Sequence, residues 1–305
     1  MERLSRIYRY EQACEFLPHR LKRLALALPD KQKERTEEFR LRVLRPMTVL
    51  TPEGELNAAP EGSASLVTAE DLEQMLGAVT EYSRYACIET LRQGFLPLRG
   101  GFRLGVCGSA VVREGEVSNL KDISSLALRI VCEKIGLGSD IAPQLFAPDG
   151  RFLSTLILSP PGGGKTTLLR DLIRQLSDRF GWRICVVDER LELAACASGV
   201  PQFRLGAHTD VLSGAPKAAG IELLLRTMNP EWIAVDEITA EADIAAIRRA
   251  SYCGVRFLAT AHAADRRELE SRPLYRALLQ DGFFRMAAFL LPDRSVRIER
   301  GLDYA

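Results

Sequence analysis

Between Thr155 and His262, apolar runs without alternation take turns with amphipathic stretches. TLILS (155–159), RICVVDE (183–189), WIAVDE (232–237) and VRFLATAH (255–262) set Ile, Val, Leu and Ala side by side. That is the pattern of strands buried on both faces of a parallel sheet. KTTLLRDLIRQLSDRF (165–180), IELLLRTM (221–228) and EADIAAIRRASYCG (241–254) instead repeat apolar residues at helical spacing. Strand and helix in alternation predict an α/β fold with right-handed crossovers.

The first half reads differently. EFRLRVLRPMTVL (38–50) alternates, with Phe39, Leu41 and Val43 opposite Arg40 and Arg42, and Pro46 interrupts it. Residues 2–28 carry a helical pattern. Within it Leu17, Leu21, Leu24 and Leu28 form a stripe beside Arg20, Lys22 and Arg23. This stripe suits a surface helix packed on its own domain, or else a basic helix on a membrane face. KQKERTEE (31–38) reads as a solvated charge run. Thr68 caps a helix over 68–86, with Asp71 at the capping-box position. Residues 92–120 are punctuated by glycine and β-like, with Gly100-Gly101 suited to a hairpin turn. A helix is expected from Ser124 or Ser125 to Gly136, and 136–150 reads as a linker. The expected organisation is therefore an N-terminal α+β domain over 1–140 and a P-loop domain over 141–305.

Composition adds little to this picture. With 41 Lys+Arg against 40 Asp+Glu, no global field draws the chain to nucleic acid or membrane. The start of the chain has no apolar signal core, and no run of 18 apolar residues occurs, so neither secretion by a signal peptide nor integral insertion is expected, while peripheral attachment to a membrane complex stays open. The 7 cysteines are scattered and never in C-x-x-C spacing, which argues for a reducing, cytoplasmic setting rather than disulfides or zinc.

The chemistry gathers at strand ends, where ligands of such sheets bind. Ser159-Pro160-Pro161-Gly162-Gly163-Gly164-Lys165-Thr166-Thr167 is a P-loop between a strand and a helix. Its backbone N–H groups would cradle phosphates, Lys165 would reach the β- and γ-phosphates, and the Thr166 hydroxyl would bind Mg²⁺. The usual first glycine is Ser159 here. Asp236 and Glu237 follow an apolar strand as a Walker B pair, one for Mg²⁺ and one for the attacking water. A third strand ends Thr260-Ala261-His262, placing a histidine where a γ-phosphate could be sensed. A fourth ends Asp188-Glu189-Arg190, expected one strand from the P-loop, so Glu189 and Glu237 compete as general base. Arg226, just before the Walker B strand, and Arg99 and Arg103, flanking the glycine pair, are candidate arginines for the transferred phosphoryl group, the latter two from a neighbouring subunit.

These segments resemble the stage III sporulation protein AA family, ATPases similar to secretion and pilus traffic motors. The resemblance rests on EFRLRVLRPMTVL, GGFRLGVCGSAVV, KDISSLALRI, LILSPPGGGKTTLLRDLIRQLS, VVDERLELAA, HTDVLSGAPKAAGIELLLRTMNPEWIAVDEI and VRFLATAHA. It implies a RecA-like domain of AAA type with ATP and Mg²⁺ bound, Glu189 as an Asp-box acid, Asp236 and Glu237 as Walker B, and His262 as the His-box. Arg226 lies in a segment similar to the arginine-bearing one of those motors. Many secretion ATPases have glycine where Asp236 stands, and many sporulation members have cysteine where Gly163 stands. The resemblance further implies a ring, a hexamer, with nucleotide between the domains of adjacent subunits. Its setting would be the mother-cell cytoplasm, at the membrane proteins of the channel to the forespore. The competing expectation is a nucleic-acid-dependent ATPase or loader. RLKR (20–23), RLRVLR (40–45) and Arg248-Arg249 favour it, and the balanced charge speaks against it, so no nucleic acid is expected.

Overall fold

A computed structural model describes residues 2–58, 65–80, 94–131 and 133–301. The chain forms two compact units, 1–132 and 133–305.

In the first unit three helices open the chain: α1 (Glu2–Cys14), α2 (His19–Leu26) and α3 (Asp30–Arg35). The single helical pattern expected over 2–28 is broken at Pro18, which stands just before α2 and cannot continue a helix from α1. The leucine stripe faces inward. Leu17, Leu21 and Ala25 are buried in the core of this unit with Tyr10, whose hydroxyl donates to the Ala25 carbonyl at 2.8 Å. The membrane-facing alternative therefore loses the apolar face it needs. The expected solvated charge run contains α3, with Asp30 in its first turn and Lys33 and Arg35 in its last, an order that suits the helix dipole.

Six strands make the antiparallel sheet of this unit: β1 (Glu38–Arg42), β2 (Thr48–Thr51), β3 (Gly54–Asn57), β4 (Phe95–Leu98), β5 (Phe102–Arg113) and β6 (Glu116–Arg129), in the order β3-β2-β1-β6-β5-β4. Between β3 and β4 lies α4 (Ala69–Val79), closed by the Thr68–Asp71 capping box. The rest of the helix expected beyond Thr80 lies outside the described residues. The helix expected from Ser124 or Ser125 is not formed. Those residues belong to β6, a central strand paired with β1 on one side and β5 on the other. Leu126 and Leu128 alternate inward, and pairing on two sides overrides the helix propensity of Leu, Ala and Arg. β5 and β6 turn through Glu114-Gly115, both at positive φ (53° and 83°), as a two-residue hairpin requires.

The second unit holds a seven-stranded sheet in the order β13-β12-β7-β11-β10-β8-β9. In chain order its elements are β7 (Thr155–Ser159), α5 (Lys165–Phe180), β8 (Ile184–Asp188), β9 (Thr209–Ser213), α6 (Lys217–Thr227) and β10 (Trp232–Val235). There follow α7 (Glu241–Tyr252), β11 (Arg256–His262), α8 (Arg266–Ser271), α9 (Pro273–Gln280), β12 (Met286–Leu290) and β13 (Val296–Arg300). All neighbours are parallel except β13 on β12. Successive side chains enter opposite cores. Leu156, Val187, Ile233 and Phe257 pack on one face, and Ile157, Val186, Ala234 and Leu258 on the other. Burial on both faces is why these strands read as unbroken apolar runs.

The expected linker is part of this unit's core. Ile141, Ala142 and Leu145 are buried against α5, and the backbone N–H groups of Gly136 and Gly138 donate to Asp171 at 3.0 and 2.7 Å. Its Gly and Pro content reflects a tight 3-10 turn at 142–145, not freedom. Strands β9, β12 and β13 carry no expectation from the sequence pattern; β9 and β13 are edge strands, the least apolar of the sheet.

Candidate active site

The carboxyl edge of the sheet collects the polar strand ends. β7 stops at Ser159, the loop runs through 160–164, and α5 begins at Lys165. Gly162 and Gly164 sit at φ 75° and 94°, which side chains disfavour. No side chain caps the start of α5, whose N-cap is Gly164, so the orphan N–H groups of its first turn are available to an anion.

Lys165 is buried to 6 % exposure, and its ammonium donates to the Ser159 carbonyl at 3.1 Å and the Pro160 carbonyl at 3.3 Å. Burial lowers its pKa from the usual lysine value, and Asp236 and Glu237 partly oppose that shift. The same ammonium lies 3.0 Å from His262 Nδ1, and His262 Nε2 lies 2.8 Å from Glu237 Oε1. An ammonium can only donate, so Nδ1 accepts and Nε2–H donates to Glu237. The register explains the meeting: β11 lies beside β7, with His262 opposite Ser159.

β10 sits on the other side of β11 and delivers the two acids. Asp236 Oδ2 accepts from the Thr166 hydroxyl at 2.7 Å, and Asp236 Oδ1 from the Thr260 hydroxyl at 2.6 Å. Thr260 Oγ1 in turn accepts from the Glu237 N–H at 2.7 Å, holding Glu237 in a left-handed turn at φ 58°. One threonine thus orients both acids. A hydroxyl and a carboxylate side by side form an all-oxygen donor pair that fits Mg²⁺, which takes few protein ligands and keeps substrate oxygens and waters.

The end of β8 takes a different place from the one expected. β11 and β10 both lie between it and β7, so it is not one strand away. Asp188 is buried and turned back, accepting from the N–H groups of Glu192, Leu193 and Ala194 at 2.8–3.1 Å. Burial pushes its carboxyl up, against those three donors that favour its charge. Arg170 holds the same turn through the carbonyls of Leu193 and Glu192. Glu189 is ion-paired with Lys217, which is 5 % exposed, while Arg190 reaches Glu237 at 2.5 Å. Glu237 therefore touches the P-loop network through His262, and Glu189 is bound up with α6.

Arg226 donates to the Glu222 carbonyl of its own helix at 3.3 Å. Arg103 stacks on Phe95 with its guanidinium carbon 3.6 Å from the ring centre, and Arg99 opens the glycine turn of the first unit. Two residues were not singled out from the sequence. Lys217 carries a signal of its own: it is a lysine in the first turn of a helix, where the dipole disfavours a cation unless an acid meets it. Arg170 carries none.

The sequence profile of sporulation stage III protein AA matches residues 7–297. The chain belongs to this family. It is 35 % identical over 277 residues to stage III sporulation protein AA of Bacillus subtilis, covering 90 % of this chain and 88 % of that one. Among solved structures it is similar to the ATPase DotB of Legionella pneumophila, with a TM-score of 0.54 at 19 % identity over 87 % of this chain and 76 % of that one. It is likewise similar to the pilus retraction motor PilT with bound ADP, with a TM-score of 0.56 at 19 % identity over 86 % and 77 %. At such identities the likeness is one of fold, and the fold is mixed α/β of the RecA-like kind.

Proposed function

We propose that this family member hydrolyses ATP in a Mg²⁺-dependent reaction, and that it does so as a ring of subunits, a hexamer. The ring would power or assemble the channel between mother cell and forespore from the mother-cell side. The observation that carries the hydrolytic reading is the contact chain Lys165–His262–Glu237, which ties the phosphate-binding lysine to an acid at the next strand end but one. The P-loop N–H groups would bind the phosphate oxygens, and Lys165 would turn from the Ser159 and Pro160 carbonyls to the β- and γ-phosphates. Glu237 would take the proton of the attacking water as its oxygen bonds to the γ-phosphorus and the bond to the β–γ bridging oxygen breaks. Mg²⁺, held by Thr166 and Asp236, would supply charge neutralisation on the phosphates. Glu189 is the weaker candidate for the base, because two strands separate the end of β8 from the P-loop and its carboxylate is paired with the buried Lys217 of α6. DotB and PilT are described as an ATPase and a retraction motor, which supports the motor reading by fold.

Steady-state hydrolysis by the purified protein tests this. Lys165→Ala is expected to abolish turnover. Glu237→Gln is expected to keep ATP binding and slow turnover by about 10²-fold, as loss of a general base does. Hydrolysis by Lys165→Ala at the unmodified rate would sink the assignment. Sedimentation with ATP and Mg²⁺ tests the ring, which a persistent monomer would rule out.

A further inference from the structure

The edge of the seven-stranded sheet opposite the P-loop also carries a pocket. β12, β7 and β11 are parallel neighbours, so their first residues come together: Arg285 before β12, Ser154 before β7, Arg256 at the start of β11. These, with Arg151, Phe152, Leu153 and Phe283, line a cavity of about 200 Å³. A water occupies about 30 Å³, so the space takes a group several times larger.

Among the described residues the lining offers donors and no side-chain acid. The carbonyls of Arg151, Leu153 and Ser154 already accept bonds, from Ala147 N, from the Thr155 hydroxyl, and from Arg285 N and Met286 N. Ser154 Oγ accepts from Phe257 N at 3.0 Å, which leaves its own O–H to donate. Arg151 pairs with Asp149, but the guanidinium groups of Arg256 and Arg285 have no ion-pair or hydrogen-bond partner among the described residues. Arg256 lies only over the Trp232 ring, at 5.5 Å. Arg256 and Arg285 face one concavity with no carboxylate paired to either among the described residues; two such cations repel each other, and an oxyanion between them relieves that cost. Guanidinium forks match phosphate oxygens two at a time, which a lysine cluster would not do. Beside the cavity, Tyr252 (76 % exposed) meets Phe283 edge-on, an aromatic rim where one side is wet and one apolar.

We propose that Arg151, Ser154, Arg256 and Arg285 form a second anion site that binds a phosphate group, supplied free in solution or as the headgroup of an anionic phospholipid. The site is independent of the nucleotide site and of its hydrolysis. The full-length Lys165→Ala protein, whose P-loop no longer competes, is titrated with inorganic phosphate by calorimetry. It is also sedimented with phosphatidylcholine vesicles prepared with and without phosphatidylglycerol. Both assays are repeated with Arg256→Gln and Arg285→Gln added, and thermal melting checks the fold, which exposed arginines should leave unchanged. Phosphate affinity reduced about tenfold or more by the two replacements identifies free phosphate as a ligand. Loss of phosphatidylglycerol-dependent sedimentation identifies the headgroup. Binding that the replacements leave unchanged in both assays, or no binding in either, overturns the proposal.

Discussion

Gly163 and Ser159 share one space: a Cβ on Gly163 would lie 2.3 Å from Ser159 Oγ and 2.8 Å from Ser159 Cβ. Serine in place of the loop's first glycine and glycine in the middle of the loop are therefore one steric event. The three glycines serve two purposes. Gly162 and Gly164 supply positive φ, and Gly163 supplies room. Gly163→Ala is expected to weaken nucleotide binding about tenfold, and Ser159→Gly is expected to restore most of it. A double-mutant cycle on ATP affinity should give a coupling of about 1–3 kcal/mol, as residues in direct contact do. Additive effects would mean that the loop relaxes around the new methyl.

Much of this site was legible in the sequence. The P-loop, Asp236, Glu237 and His262 each lie at the end of a strand whose apolar run announces it, and parallel strands bring such ends to one edge. What the pattern could not give is strand order. The acidic end of β8 looks like that of β10 in sequence, yet two strands separate it from the P-loop, and Asp188 spends its carboxylate on three backbone donors. The helix expected after Ser124 failed for a related reason. Its pairing partners, β1 and β5, decide its conformation, and neither is local.

Thr260 is a positioning residue for both acids, and its hydroxyl makes two bonds that valine cannot. Thr260→Val keeps the shape of the strand but leaves the Glu237 N–H without its acceptor and Asp236 Oδ1 without its donor, Thr166 alone still donating to Oδ2. An unmet buried group costs about 1–3 kcal/mol. Turnover is expected to fall about 10–100-fold, with the Mg²⁺ concentration for half-maximal rate shifted upward, because Asp236 is misaimed. Thr260→Ser should recover most of both. A Mg²⁺ profile unchanged in Thr260→Val would show that Asp236 needs no such support.

The Lys217–Glu189 pair carries a stability prediction. Lys217 is buried and Glu189 is 36 % exposed on its side chain. Glu189→Gln leaves an ammonium with no counter-charge, and Lys217→Met leaves a carboxylate that still reaches water. Breaking a fully buried pair costs about 3–5 kcal/mol. The expected loss is thus larger for Glu189→Gln than for Lys217→Met, and the double replacement should recover part of it. Denaturant melts of the three variants measure this, and equal losses from both single changes would contradict the burial argument.

Nucleotide binding should depend on alkaline pH through Lys165. Burial holds its pKa below the ordinary lysine value of about 10.4. Phosphates prefer the charged form and raise that pKa on binding. Binding in the window between the free and bound values therefore takes up a proton, and affinity falls as pH rises through the free value. Calorimetry in two buffers of different ionisation enthalpy should report proton uptake that grows toward alkaline pH. Lys165→Arg, which stays charged there, should abolish the uptake. Proton release instead would place the titrating group elsewhere.

Arg190 holds the carboxylate that the hydrolytic reading needs free. It approaches Glu237 Oε2 at 2.5 Å while His262 takes Oε1, so both oxygens of the candidate base are engaged. The arginine is 60 % exposed, and exposed pairs are worth about 0.2–1 kcal/mol. If Glu237 must leave Arg190 to receive a proton, Arg190→Ala removes that cost and should raise basal turnover by about 1.4- to 5-fold, with little change in KM. Glu237→Gln combined with Arg190→Ala should show no such gain, since the amide is not a base. A fall in the rate of Arg190→Ala would give Arg190 the opposite role, aligning Glu237 for attack, and the single-turnover rate of the variant separates the two.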